Sequence, residues 1–243
     1  MHPDIHIGTS GWSYKGWKGL YYPQKLATTR WLEFYAQDFG TTEINSSFYG
    51  LPSQETASKW MNKVPPGFLF CPKMSRYLTH IKRLKNADEP LERFFSVFAV
   101  MQPQLGPVLV QLPSNLPFDY HVAESFYNLL QQYKGYAFAM EVRHPTWLRE
   151  PSLTLMAKYD ISFVISQSGD HFPYAEVVTS KNIYVRFHGP GQLYASAYTT
   201  GMLEYFAQKF KGWVEEGHTV WAYFNNDING YAPEDAKKLQ SLV

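Results

Sequence analysis

A single cysteine, Cys71, stands in the 243 residues. It has no partner for an intrachain disulfide or a paired-cysteine zinc site, so the chain must hold together by packing and suits a reducing compartment. Without an activating neighbour in the sequence, Cys71 reads as a small buried hydrophobe rather than a nucleophile. Long apolar runs are also missing. No stretch reaches the roughly 18 apolar residues of a membrane span, and the opening MHPDIHIGTSGW has no basic flank followed by an apolar run. The expected setting is therefore the cytoplasm, away from membranes. Net charge is nearly absent at a formal +1, which supplies no overall field to gather a polyanion. Neither a Gly/Ser linker, a low-complexity tract nor an internal repeat divides the chain. Residues 1–243 thus read as one domain, of a length that α/β barrels use for a single core.

Aromatic residues, by contrast, are abundant, at 17% with 7 Trp, 18 Tyr and 17 Phe. Many fall between the periodic segments, where they are candidates for ligand stacking. Short β-branched or aromatic runs alternate with amphipathic ones, a pattern that specifies parallel strands joined by helices. Strands are predicted at 5–9, 41–46, 68–73, 107–112, 136–143, 161–166, 182–188 and 219–226. Helices are predicted at 28–38, 53–63, 90–103, 119–133, 151–159, 199–216 and 232–242. Thr28 or Thr29, Ser53 and Asp119 are placed to cap helix starts, and Pro151 suits a first turn. Residues 167–181 lack a helical period. The expected fold is a TIM-like (βα)8 barrel with one irregular βα unit between strands six and seven. Two connections, Ser10–Ala27 and Met74–Glu89, are long enough to cover its mouth.

Side chains alternate across a strand, so one parity enters the barrel and the other packs under the helices. Tyr136, Phe138, Met140 and Val142 form an outward apolar face, leaving Ala137, Ala139, Glu141 and Arg143 inward. In the seventh strand Ile183, Val185 and Phe187 go out, while Tyr184, Arg186 and His188 go in. The same reasoning nominates Gly8, Ser10, Glu43, Asn45, Lys73, Gln111, Ser166 and Asn225. All lie at or near the C-terminal ends of their strands, where barrels of this kind place their chemistry. The competing reading is an ionic plug, but a pure plug is more stable when built from Val and Ile.

These strand ends carry GTSGWSY at 8–14, E-x-N-x-x-FY at 43–49, K-x-S-R-x-x-TH at 73–80, QLP at 111–113, E-x-RH-x-x-W at 141–147, VRFHG at 185–189 and FNND at 224–227. In this order, over nearly the whole chain, they resemble the YecE-like family of domains of unknown function. The resemblance implies a TIM-barrel-like fold and no established activity. Its motif positions fall on Gly8, Ser10, Trp12, Tyr14, Glu43, Asn45, Phe48, Tyr49, Lys73, His80, Gln111, Glu141, Arg143, His144, Trp147, Arg186, His188, Asn225 and Asn226. Residues 167–181 and the part after Asn226 depart from the pattern.

Guanidinium groups bind phosphate or carboxylate through paired hydrogen bonds, and a lysine adds a point charge. Arg143, Arg186 and Lys73 therefore suggest a small anionic ligand, phosphorylated or carboxylated. Trp12, Tyr14, Phe48, Tyr49 and Trp147 offer ring faces for a sugar or base, and Ser10, Asn45, His80, Gln111 and Asn225 complete the expected ligand-binding set. Glu43, Glu141 and His188 are the candidate catalytic proton carriers. A glycosidase would use Glu43 with Glu141, but the surrounding cations disfavour the protonated acid it needs. No cofactor is expected. Glu43, Glu141, His188 and His144 could in principle ligate a divalent metal, but no HxH or HExxH pair lies among the mouth residues and the cations oppose it. The leading expectation is an enzyme, a hydrolase, lyase or isomerase, acting on a small anionic, sugar-like molecule. One alternative is a nucleic-acid-binding or processing barrel of the endonuclease IV kind, using the basic run KMSRYLTHIKRLK at 73–85. Another is a noncatalytic metabolite sensor.

Overall fold

Eight strands occur where β-branched and aromatic residues cluster: β1 Ile5–Thr9, β2 Thr41–Ile44, β3 Leu69–Pro72, β4 Val108–Gln111, β5 Phe138–Glu141, β6 Ile161–Gln167, β7 Asn182–Phe187 and β8 Thr219–Phe224. The structure, a computed structural model, describes residues 2–243. All strand pairings are parallel, and β1-β8-β7-β6-β5-β4 form a six-stranded curled half-barrel sheet beside a two-stranded β2-β3 sheet. The eight segments match the expected strands: β1 has the expected bounds, β6 runs one residue further, and the other six are shorter. The α/β class is as expected, whereas the anticipated unbroken eight-stranded ladder is interrupted at two seams.

At the seam between β3 and β4, isolated parallel bridges join Lys73 to Leu109 and Phe70 to Leu105. Met74 N donates to Leu109 O at 2.8 Å, and Gly106 N donates to Phe70 O at 2.9 Å. Side chains join β1 to β2. The Tyr35 hydroxyl accepts from Thr9 N at 2.9 Å and donates to Thr41 O at 3.0 Å, while Thr42 Oγ1 donates to Thr9 O at 3.1 Å. Gly8 makes this approach feasible: a Cβ there would sit 2.2 Å from Thr41 O.

The helices are α1 Trp31–Tyr35, α2 Ser46–Tyr49, α3 Gln54–Met61, α4 Asp88–Phe98, α5 Tyr120–Leu130, α6 Glu150–Lys158, α7 Thr200–Glu215 and α8 Tyr231–Leu242. Ser53 and Asp119 cap as expected, accepting from Thr56 N and Val122 N, and Thr199 does the same for α7. Neither Thr28 nor Thr29 caps α1; they form a 3-10 turn, Thr28–Arg30, that leads into it. Helix α4 buries Pro90, Leu91, Phe94, Phe95 and Phe98 along one stripe, then tightens into a 3-10 segment at Ala99–Gln104. Between β6 and β7, residues 168–181 contain no helix, as their lack of periodicity predicts. No helix among the described residues is long and apolar enough to cross a membrane.

The core has two layers, and strand parity separates them. Cys71, Leu109, Ala139, Val164, Tyr184, Trp221 and Tyr223 form an inner apolar cluster. Phe138, Met140, Val142, Ile183, Val185 and Phe187 pack outward with the helices. Cys71 is fully buried against the Tyr223 hydroxyl, and burial pushes its thiol well up, so it is packing material as its sequence context suggests.

Candidate functional site

Above the inner apolar cluster lies a polar layer in which the strand ends converge. Arg186 is its hub. Its Nε and one terminal nitrogen grip both oxygens of Glu43, each at 2.8 Å; that nitrogen also reaches Ser10 Oγ at 3.1 Å, and the other donates to Glu141 Oε2 at 2.8 Å. Glu141 Oε1 accepts from Arg143 at 2.6 Å, Ser166 at 3.0 Å and His188 Nε2 at 2.9 Å. The Tyr184 hydroxyl donates to Glu43 Oε1 at 2.8 Å, tying the polar layer to the apolar one beneath. Glu43, Glu141 and His188 are all fully buried.

The electrostatics follow from this closed pairing. Burial favours a protonated Glu141, but Arg143, Arg186 and His188 outweigh it and hold the carboxyl well below its ordinary range. Burial likewise opposes the charge on Arg186, and Glu141 with Glu43 more than restores it. His188 is pushed down to about 4 by burial, against a partial upward pull from Glu141. It is therefore neutral at pH 7. Because the Glu141 carboxylate can only accept, His188 carries its proton on Nε2, and Nδ1 is left to accept from Asn225 Nδ2 at 3.1 Å.

This pairing changes three sequence-based expectations. Arg186 was expected to clamp an anion, yet its donors are committed to Glu43, Glu141 and Ser10. Glu43, Glu141 and His188 were expected to carry protons, yet they lie below the cavity floor and do not line it. Two carboxylates against two guanidiniums leave no surplus in the network, so among the described residues the uncompensated cations at the cavity are Lys73, which is buried, and Arg76, which is exposed. The carboxylate oxygens are filled by protein donors, and among the described residues no group of three or more His, Cys, Asp or Glu is arranged to hold a metal.

A cavity of about 720 Å³ opens above the network, lined by Tyr14, Asn45, Phe48, Tyr49, Lys73, Arg76, His80, Gln111, Arg186, Tyr194, Asn225, Asp227 and Ile228. Nine of the expected ligand-binding residues are among them: Tyr14, Asn45, Phe48, Tyr49, Lys73, His80, Gln111, Arg186 and Asn225. Ser10 instead serves the floor. Arg143 stacks on Phe172 at 3.3 Å from the ring centroid, its Nε without a partner. Trp12 packs on Trp60 and Phe70. Trp147 is buried against Phe118 with its indole N–H on Leu116 O. These two tryptophans are structural, the ordinary fate of a large ring near a loop base. His144 caps the short turn Pro145–Leu148.

Lys73 reaches the cavity from the end of β3 and is only 8% exposed. Its Nζ donates to Gln111 Oε1 at 2.6 Å and lies 4.3 Å from the Phe48 ring centroid. No carboxylate among the described residues comes within ion-pair distance of it. Burial and the nearby Arg186 and Arg143 guanidiniums lower it to about 7, against the pull of Glu141 and Glu43. His80 is lowered by burial and by Lys73, Arg76 and Arg143. Burial raises Asp227 to about 6.

Tyr194, Asp227 and Ile228 are not nominated from sequence because they lie on loops, where alternation gives no orientation. Arg76 enters the sequence reading only within the basic run 73–85 of the nucleic-acid alternative, and the structure places it on the cavity wall. A second recess of about 270 Å³, lined by Phe48, Tyr49, Leu51, Tyr77, Ile81 and Pro90 among others, shares Phe48, Tyr49 and Arg76 with the main cavity.

Comparison with known proteins places these features in context. A family model described as "Protein of unknown function DUF72" matches residues 6–243. The chain is 29% identical to the UPF0759 protein YecE of Escherichia coli K12 over 142 residues, covering 58% of this chain and 49% of that protein. That match spans about half the length of the E. coli relative. Similarity to the UPF0759 protein YunF of Bacillus subtilis is 23% identity over 98% of this chain and 94% of that protein. Among solved structures, a DUF72 family protein (TM1631) from Thermotoga maritima superposes with a TM-score of 0.88 at 26% identity, over 98% of both chains. Another (EF0366) from Enterococcus faecalis gives 0.84 at 20% identity, over 98% of this chain and 94% of that one.

Proposed function

The chain belongs to the DUF72 family, proteins of unknown function, and from that premise we propose that its strands close as a (βα)8 barrel whose mouth binds a small anionic, sugar-like molecule as the substrate of an enzyme. The observation that carries this reading is the pair of cations on the cavity wall. Lys73 and Arg76 both line the cavity and, among the described residues, neither has a carboxylate partner. Lys73 is buried, and a buried cation without a counter-ion is costly, whereas Arg76 is exposed and free to turn toward a ligand; an incoming phosphate or carboxylate supplies the charge and acceptors that Lys73 lacks.

The remaining lining suits the rest of such a ligand. Asn45, Gln111 and Asn225 present amides to hydroxyls, and Asn45 Oδ1 is buried without a partner. Tyr14, Phe48, Tyr49 and Tyr194 supply ring faces. The Glu43–Arg186–Glu141–Arg143 network with His188 is the rigid floor that fixes these groups, in keeping with the need to hold a site on locked side chains. Mass spectrometry of metabolites retained by the native protein, followed by calorimetric titration of the sugar phosphates or sugar acids found, tests the reading. Arg76→Ala is expected to weaken binding by roughly tenfold or more. Equal affinity for the variant, or retention of neutral sugars alone, refutes it. A metabolite that is held but never altered would keep the anion site and replace the enzyme with a sensor.

A second reading, a single-stranded nucleic acid across the mouth, is favoured by the 84% exposed Tyr49 and 46% exposed Tyr77 around Arg76. Against it, the basic run at 73–85 does not present one face: Lys73 points into the cavity, and Arg83 is spent on Asn115. Mobility shifts at two salt concentrations decide, since phosphate contacts weaken steeply with salt.

A further inference from the structure

Lys73 has more to offer than charge. An ammonium carries three hydrogens, yet only one has a protein acceptor, Gln111 Oε1 at 2.6 Å. The same nitrogen faces a cavity large enough for a small metabolite and is backed by the Phe48 ring. The charged groups around it are Glu43 from β2, Glu141 and Arg143 at the end of β5, Arg186 from β7, and Arg76 and His80 from its own loop. The carboxylates among them are already neutralised by the arginines. The amine is therefore fixed in place, shielded from water on one side and open to a ligand on the other.

We propose that Lys73 is a nucleophile that condenses with the carbonyl carbon of an aldehyde- or ketone-bearing anionic substrate to form an imine. The inference rests on the anion-binding reading above and names the substrate class more narrowly. In the first step the Nζ lone pair forms the C–N bond as the carbonyl π bond opens; the nitrogen gives up a proton and the oxygen gains one, leaving a neutral carbinolamine. In the second step the C–O bond breaks and the hydroxyl leaves as water, taking one proton from an acid and yielding the iminium. The net change is amine plus carbonyl plus one proton to iminium plus water. Asp227, which lines the same cavity and is raised to about 6 by burial, supplies that proton. Arg76 holds the anionic end of the substrate. At pH 7 about half of Lys73 is the free amine the addition needs, because burial beside Arg186 lowers it to about 7, whereas an ordinary lysine is free to less than about one part in a thousand.

The test is reductive trapping on the full chain. Pyridoxal 5′-phosphate, an aldehyde with a phosphate, is added at pH 7 at less than one equivalent and reduced with borohydride, and the labelled lysine is located by peptide mass mapping. Glycolaldehyde with cyanoborohydride is the uncharged arm, and inorganic phosphate is the competitor. Fifteen lysines are available. Lys73 is expected to react on the order of a hundredfold faster than the surface ones, and Lys73→Arg and Lys73→Met to lose that label while the α-amino group still reacts. Label spread over surface lysines with Lys73 unmodified overturns the imine, and it does so in the wild-type protein alone, so the folding of the variants does not decide the matter. If calorimetry shows phosphate binding but Lys73 is never trapped, the imine falls and the anion site stands. If both aldehydes trap Lys73 and phosphate slows neither, the imine stands and the anion site falls.

Discussion

Replacing Lys73 by methionine should make the protein more stable at and below neutral pH, and the gain should shrink as pH rises. The buried amine is lowered to about 7 in the fold from an ordinary 10.5. Between those values the unfolded chain binds more protons than the folded one, so wild-type stability rises with pH across this window. Below pH 7 the full cost of burying a protonated amine is present. For a single group with these two values, linkage gives a wild-type gain of about 2–3 kcal/mol between pH 6 and pH 9. Lys73→Met keeps most of the side-chain length, and Gln111, which is half-buried, can turn to water for its lost donor. Urea unfolding of both proteins at pH 6, 7.5 and 9, followed by tryptophan fluorescence, gives the difference directly. Contributions from His6 and His188 cancel because both proteins carry them in the same surroundings, whereas His80, which Lys73 helps to lower, is relieved of that influence in the variant, so the comparison is read from pH 7.5 to 9 as well as across the whole range. If the two stability curves run parallel from pH 6 to 9, Lys73 is an ordinary charged lysine in the fold, and the reasoning about its environment fails.

Arg186→Met removes the one cation that bridges both buried carboxylates, Glu43 and Glu141, and such a loss costs about 3–5 kcal/mol; urea midpoints showing a loss under 1 kcal/mol would mean that Arg186 is not the buried hub of this network. Gly8→Ala places a methyl group 2.2 Å from Thr41 O, an overpacking worth about 1–3 kcal/mol, so calorimetry should show a melting temperature lower by roughly 2–10 °C. An unchanged melt would show that β1 and β2 stand farther apart. His188 is lowered to about 4 from 6.5. Since the unfolded chain takes up this proton first, its contribution is intact above 6.5 and is lost as pH falls to about 4, by up to about 3 kcal/mol. His188→Gln should flatten that part of the acid limb in a pH series of urea melts, and an identical limb in the variant would place a charged imidazole in the native state.

Much of this arrangement was legible in the sequence, for a definable reason. Alternation is a local rule with a period of two, so Phe138, Met140 and Val142 on one side of a strand oblige Ala139, Glu141 and Arg143 onto the other, and the structure keeps that order. Capping is equally local, which is why Ser53 and Asp119 could be placed. Pairing between distant strands is not local. Nothing around Arg186 in the sequence says that Glu43 and Glu141 consume its guanidinium, and so a network floor reads as a free anion clamp. Loop side chains lack a period altogether, and for that reason Trp12 and Trp147 read as ligand platforms while Tyr194, Asp227 and Ile228 are not picked out. The short helix Ser46–Tyr49 and the wide turn Tyr77–Ile81 follow β2 and β3 too closely for any amphipathic pattern to develop.

The bond between Glu43 and Arg186 spans 143 positions of the chain. On a ribosome adding about 5–20 residues each second, Glu43 is made roughly 7–30 seconds before its guanidinium partner. For that interval β2 carries a carboxylate that cannot be buried without cost. The polar floor beneath the cavity is therefore completed only once the seventh strand has been made, and no amino-terminal part of the chain can hold it alone.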